Sequence, residues 1–101
     1  MRIIARKPLV QFSSAHPDAK AAVAAWYHEA RAAAWKSSAD IKARYRSASI
    51  ISKRRVVFNI CGNKFRLVAD VNYSVGIVYI LFIGTHAEYD EIDVEVISVC
   101  P

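Results

Sequence analysis

The sequence predicts an α+β fold, with helices first and a sheet after them. Two stretches carry the prediction. Between Asp18 and Trp35, Ala19, Ala22, Val23, Trp26, Tyr27 and Ala30 fall at offsets of 0, 3, 4, 7, 8 and 11, one continuous helical face. Further on, Arg55-Val56-Val57-Phe58-Asn59-Ile60 and Lys64-Phe65-Arg66-Leu67-Val68-Ala69-Asp70-Val71 both alternate and are joined by Cys61-Gly62-Asn63, the pattern of a hairpin.

In chain order, Met1 to Ala5 reads as a short strand because Ile3 and Ile4 are β-branched. Arg6 to Ala15 reads as a first helix: Pro8 is tolerated in a first turn, and Leu9, Val10 and Phe12 can face inward. His16-Pro17 ends it, since a residue before proline avoids the helical region. The second helix spans Asp18 to Trp35. Asp18 complements its dipole, its alanines permit close approach to a sheet, and Lys20, Glu29 and Arg31 lie on the polar side. Ser37 to Ile51 reads as a polar, irregular connector with one helical turn at Asp40 to Ala43. Ile50-Ile51 and the basic run Lys53-Arg54-Arg55 lead into the sheet.

A two-residue loop at Gly62-Asn63 sets Cys61 opposite Lys64. The pairs Ile60–Phe65, Asn59–Arg66, Phe58–Leu67, Val57–Val68, Val56–Ala69 and Arg55–Asp70 then follow. That register leaves one face apolar and projects Arg55, Asn59, Lys64 and Arg66 from the other, with Arg55 and Asp70 as an opposite-charge pair. After a turn at Asn72 to Gly76, the unbroken apolar run Ile77 to Ile83 predicts a central strand buried on both sides. His86 to Asp93 forms a polar or helical tail, with Ile92 and Val94 to Ile97 packing back. No internal repeat or second domain is visible, so residues 1–101 read as a single domain.

The chain carries a formal net charge of +5 and 54% hydrophobic residues over 101 positions. That is enough for one modest core and favours acidic partners. The charge is uneven. Asp40 to Arg66 holds eight Lys or Arg and one acid, whereas His86 to the end holds five acids and no Lys or Arg. The middle of the chain is therefore the candidate polyanion-binding stretch; the alternative is a solvated surface with incidental charge. Cys61 and Cys100 have no metal-ligand spacing and read as free thiols of a cytosolic protein. No apolar run approaches the roughly 18–20 residues of a membrane span, so no membrane partner is expected.

Arg66 and Lys64 head the candidate chemistry. A strand arginine can grip a phosphate bidentately and stabilise charge developing on it; the alternative is a structural salt bridge. His86 follows the last strand and can act as acid or base. Tyr89, three residues on, can stack on a base or orient a 2′-hydroxyl. The alternative for both is capping and packing. Lys42, Arg44, Tyr45 and Arg46 form a basic–aromatic cluster suited to RNA, although Tyr45 could equally anchor the connector. His16, His28, Trp26 and Trp35 read as structural. There is no Gly-rich phosphate loop, no G-x-S-x-G and no H-E-x-x-H, which disfavours triphosphate, serine and zinc hydrolysis. Metal-free RNA cleavage needs only cationic clamps and proton-transfer groups, because RNA supplies its own 2′-oxygen nucleophile.

The chain resembles the HigB toxins of the RelE-like superfamily. The resemblance runs through His16-Pro17-Asp18, Ala25-Trp26-Tyr27-His28-Glu29-Ala30, the stretch Asp40 to Ser49, Arg55 to Ile60, Asn63-Lys64-Phe65-Arg66-Leu67-Val68 and Gly84-Thr85-His86-Ala87-Glu88-Tyr89-Asp90. It implies two N-terminal helices packed on a mainly antiparallel twisted sheet. It also implies a ribosome-dependent mRNA endoribonuclease, acting in the decoding site without metal or other cofactor. The implied partner is a HigA-type helix-turn-helix antitoxin, with operator DNA bound only through the antitoxin complex. By the same resemblance Arg66 clamps the scissile phosphate, His86 transfers a proton or stabilises the phosphate, and Tyr89 orients or stacks on the substrate. Where some relatives carry strand lysines, this chain has Val57 and Asn59. Lys64, Lys42 and Arg55 are the cations available to replace that charge, and Asn59 could instead only position the RNA. The rival expectation is a non-catalytic module that binds RNA, DNA or its antitoxin through the same surface.

Overall fold

A computed structural model describes residues 1–97. The elements run β1 (Arg2–Ile4), α1 (Lys7–Ala15), a 3-10 turn (Pro17–Ala19), α2 (Lys20–Ala32), α3 (Ser38–Arg44), β2 (Ser49–Ile50), β3 (Arg55–Ile60), β4 (Phe65–Asn72), β5 (Ile77–Thr85) and α4 (His86–Asp90). The strands form one sheet in the order β1-β5-β4-β3-β2, antiparallel except for the parallel β1–β5 pair. The α+β arrangement follows the sequence reading. Phe12, Val23 and Trp26 from α1 and α2 join Phe58, Leu67 and Val78 of the sheet in one core. Trp26 meets Phe58 edge-on at 5.2 Å. Burying side chains such as Phe58 and Leu67 contributes about 1.5–3 kcal/mol each.

The β3–β4 register matches the sequence reading pair for pair, from Arg55–Asp70 to Ile60–Phe65. The turn closes with the Lys64 N–H donating to the Cys61 carbonyl at 3.3 Å. Cys61 and Gly62 both take positive φ there, 56° and 66°; the glycine adopts this freely, and the cysteine at a modest steric cost.

Other expectations need correction. The helix ends at Ala32, not Trp35: Ala33 is extended, and Trp35 leaves the helix axis to stack on Phe58 at 6.0 Å. The connector is more ordered than its polarity suggests. Ile41 is fully buried, Asp40 sits in the first turn of α3 and Lys42 and Arg44 in its last, all favouring a helix. Lys64 lies in the turn rather than on a strand. The second sheet face is no continuous basic stripe, because Val57 and Val68 sit buried between Arg55 and Asn59 and between Arg66 and Asp70. β5 is not buried on both sides either. Val78 and Ile80 are buried, but Ile77, Tyr79 and Phe82 are only half-buried.

A bulge opposite Val68 and Ala69 adds Leu81 to β5. An inserted residue shifts which face the following side chains take. It places Ile83 opposite Leu67 on the core face, and Gly84 opposite Arg66 on the other. Along that second face the chain returns after α4, and Arg55 Nη1 donates to the Val94 and Glu95 carbonyls, both at 3.1 Å. Cys61 carries a free thiol; Cys100 lies outside the described residues. Among the described residues no helix is long and apolar enough to cross a membrane.

Candidate nucleic-acid site

Arg66 does not project from the strand. It folds back along the hairpin turn and is only 9% exposed. Its Nη1 donates to the Asn63 carbonyl at 3.1 Å and the Phe65 carbonyl at 3.4 Å, and Nη2 donates to Asn63 Oδ1 at 2.9 Å. All these acceptors are neutral. No carboxylate of the described residues forms an ion pair with it. A guanidinium has five N–H donors, so Nε and a second Nη2 hydrogen have no acceptor among the described residues. Nε is not among the polar atoms cut off from solvent. The result is a nearly buried positive charge, rigidly held, with part of its donor fork open. Burying a charge without a counter-charge is costly, so an incoming anion meets a site with little to reorganise.

The roof over Arg66 is α4. The Tyr89 ring centroid lies 5.9 Å from the guanidinium carbon. Gly84, opposite Arg66, leaves room for its neighbours: a Cβ there would lie 2.6 Å from Phe82 Cζ and 3.1 Å from Glu88 Oε1. A reciprocal cap starts the helix. Glu88 N–H donates to Thr85 Oγ1 at 3.2 Å, and Thr85 N–H donates to Glu88 Oε1 at 2.8 Å. That backbone hydrogen bond, reinforced by the Thr85 hydroxyl, holds the Glu88 carboxyl below its ordinary value.

His86 is the first residue of α4, and its N–H donates to the Lys64 carbonyl at 3.1 Å, tying it to the Arg66 end of the sheet. Its imidazole is exposed, with Nδ1 3.0 Å from Asp90 Oδ2. An ionised carboxylate only accepts, so Nδ1 carries the proton and Nε2 presents a lone pair or a second proton outward.

The other predicted cations are mostly engaged. Arg55 forms a two-point pair with Asp70 at 2.8 and 2.9 Å, which raises its pKa further. Arg44 pairs with Glu29 at 2.6 Å. Tyr45 donates to the same Glu29 at 2.9 Å and packs on Phe58 at 5.2 Å, so it serves as an anchor; burial first, then Glu29, drives its pKa upward. Lys42 donates to the Arg46 and Ala48 carbonyls, both at 2.7 Å, and fixes the loop after α3. Asn59, opposite Arg66, donates to the Ser47 carbonyl at 3.2 Å and brings that loop, with exposed Arg46, beside the site. Lys64 is exposed but pairs with Asp18 at 2.9 Å; their hydrogen bond raises the lysine and lowers the aspartate.

The sequence reading gave no role to Asn63 and read His16 as structural. Asn63 holds two of the Arg66 donor contacts; a turn asparagine three residues before a strand arginine was the available signal. His16, read as structural, stacks on Phe12 at 4.3 Å and reaches the edge of Phe65 at 5.6 Å, at the start of β4. The Phe12 contact is local, four residues back, whereas the Phe65 contact is not. Among the described residues no group of three or more His, Cys, Asp or Glu converges as metal ligands.

The fold and site define a small basic α+β protein with a nearly buried arginine beneath α4. The HigB toxin family model, described as the RelE-like toxic component of a toxin–antitoxin system, matches residues 19–92. The chain belongs to this family, and an antitoxin is therefore its partner. Arg66, His86, Tyr89 and Asn63 all lie inside the matched stretch, whereas His16 and Asp18 lie before it. No curated protein matches the chain at a significant level.

Proposed function

We propose that the chain is a ribosome-dependent mRNA endoribonuclease, held in check by a HigA-type helix-turn-helix antitoxin through which alone it reaches operator DNA. The observation that carries this reading is the Arg66 guanidinium: nearly buried and, among the described residues, bonded only to neutral oxygens with two N–H groups left over. A phosphodiester supplies the missing negative charge, and the charge that builds on its oxygens during 2′-hydroxyl attack strengthens the same bonds. His86, oriented by Asp90, takes the 2′-hydroxyl proton through Nε2. The 2′-oxygen bonds to phosphorus, the bond to the 5′-oxygen breaks, and that oxygen collects a proton from solvent at the open rim. Tyr89 stacks beside the scissile nucleotide. Lys64, Arg46 and Asn59 border the path of the strand, while Lys42, Arg44, Tyr45 and Arg55 hold the scaffold that positions it.

Induced expression followed by mapping of 5′-ends on translated mRNA tests the reading. Wild-type chain arrests growth and leaves discrete ends within reading frames. His86→Gln lowers cleavage by about 10²-fold or more, the range of a lost general base, while still sedimenting with ribosomes. Growth arrest without any mRNA cleavage by the wild-type chain would replace this reading with a binding module.

A further inference from the structure

Two openings on the helical side of the molecule run into one another, since Arg6 and Tyr27 line both. The first is a cavity of about 290 Å³ between α1 and α2, floored by Leu9, Val10, Val23 and Ala24. The second continues past the end of α2 to the β4–β5 turn, where Arg2, Arg31, Lys36 and Val75 meet. Neither is lined by a single Asp or Glu.

The cations here contrast with those of the middle segment. Arg2, Arg6, Lys20, Arg31 and Lys36 make no ion pair among the described residues, and all are exposed. Arg6 lies over the Tyr27 ring at 4.7 Å, which fixes one positive charge at the junction. Each opening also exposes a large apolar side chain: Val10 in the first is 54% exposed and Val75 in the second 63%. An apolar floor and an unpaired basic rim are together the complement of an amphipathic, acidic protein segment. A nucleic-acid backbone would match the rim and leave the valines uncovered. The α2 helix, at 1.5 Å per residue, gives the groove a length of roughly 20 Å, enough for about three or four turns of a partner helix.

The geometry points to this groove as the docking surface of the antitoxin, which engages it through an acidic amphipathic segment whose apolar side chains enter between α1 and α2 and whose carboxylates meet Arg6, Arg31 and Lys36. The surface lies on the helices that cover the core face of the sheet, apart from the Arg66 rim on the other face. It rests on the antitoxin reading and not on the cleavage chemistry.

The test uses the full chain and the antitoxin encoded beside it, with dissociation constants from calorimetry. The variants are Val10→Glu and the pair Arg31→Glu with Lys36→Glu, all at exposed positions, so that the fold is spared. Growth arrest by each variant in the absence of antitoxin reports that it is folded. Each variant should raise the dissociation constant at least tenfold, and the double reversal the more, with rescue of growth by antitoxin lost. Wild-type binding with variants within twofold of it overturns the surface and leaves the antitoxin reading intact. Wild-type chain that does not bind overturns the antitoxin reading itself. Unchanged antitoxin affinity with weakened ribosome binding assigns the groove to RNA and also overturns the proposal.

Discussion

Arg55 and Arg66 occupy the same face of the same hairpin, and both are largely shielded from solvent, yet their surroundings differ in kind. Arg55 closes a two-point pair with Asp70 and donates to the Val94 and Glu95 carbonyls. Its charge is answered inside the protein. Among the described residues Arg66 donates to the oxygens of Asn63 and Phe65, all neutral, and two of its N–H groups have no acceptor there. The difference separates an arginine that holds the fold from one that is held by it. Shielding alone does not distinguish them; the partner list does.

The largest expected effect separates the two by activity. Arg66→Gln removes the guanidinium proposed to meet the phosphate, and cleavage of translated mRNA should fall by about 10²–10³-fold. Stability should stay within about 1 kcal/mol of wild type in urea unfolding, because no internal counter-charge is orphaned. Arg66→Lys should recover little, since an ammonium cannot reproduce the fork held by Asn63. Loss of folding in both variants would place Arg66 with Arg55 as a structural residue.

The reciprocal change comes next. Arg55→Ala leaves Asp70 without its partner and frees two carbonyls of the returning chain. With side chains 12% and 26% exposed, the pair is screened less than a surface bridge, and the loss should be about 2 kcal/mol, below the 3–5 kcal/mol of a fully buried pair. Cleavage per folded molecule should be unchanged. The double variant Arg55→Ala with Asp70→Ala should recover part of the stability, measured by the same unfolding curves.

This contrast also marks where the sequence was readable. The hairpin register was legible because a one-residue slip mixes its faces, and because Arg55 and Asp70 attract in that register. Both signals are local to the two strands. The hidden features depend on contacts far along the chain. Lys64 meets Asp18 46 residues away, and Tyr45 meets Glu29 16 residues away, so side chains that read as candidates for RNA turn out engaged within the protein. Trp35 leaves its helix for Phe58, a preference that helical periodicity cannot carry. The bulge at Leu81 lies inside an unbroken apolar run with no alternation to betray it, yet it decides that Gly84 faces Arg66. That Arg66 follows the hairpin turn and His86 follows the last strand was visible; the folding-back of the guanidinium onto Asn63 was not.

The smallest effect concerns the helical roof over Arg66, whereas Arg55 is instead covered by the returning chain at Val94 and Glu95. α4 is started by the Thr85–Glu88 cap, whose hydrogen bonds depress the Glu88 carboxyl from 4.5. A depressed carboxyl contributes stability that is present above its unfolded value and lost as pH falls through the folded one. Protection of the α4 amides against hydrogen exchange should therefore hold near neutral pH and drop severalfold on acidification below about 4.5. Glu88 is exposed, so solvent screens the effect and the global unfolding midpoint should barely move. Glu88→Gln keeps the side-chain acceptor for the Thr85 N–H and removes the titrating group, so its α4 protection should lose this acid dependence. Tyr89 rides on α4, so the same acid range should loosen its ring from Arg66 while the Arg55–Val94 contact keeps its neutral-pH protection. An α4 that titrates identically in wild type and Glu88→Gln would mean that the cap does not set the roof.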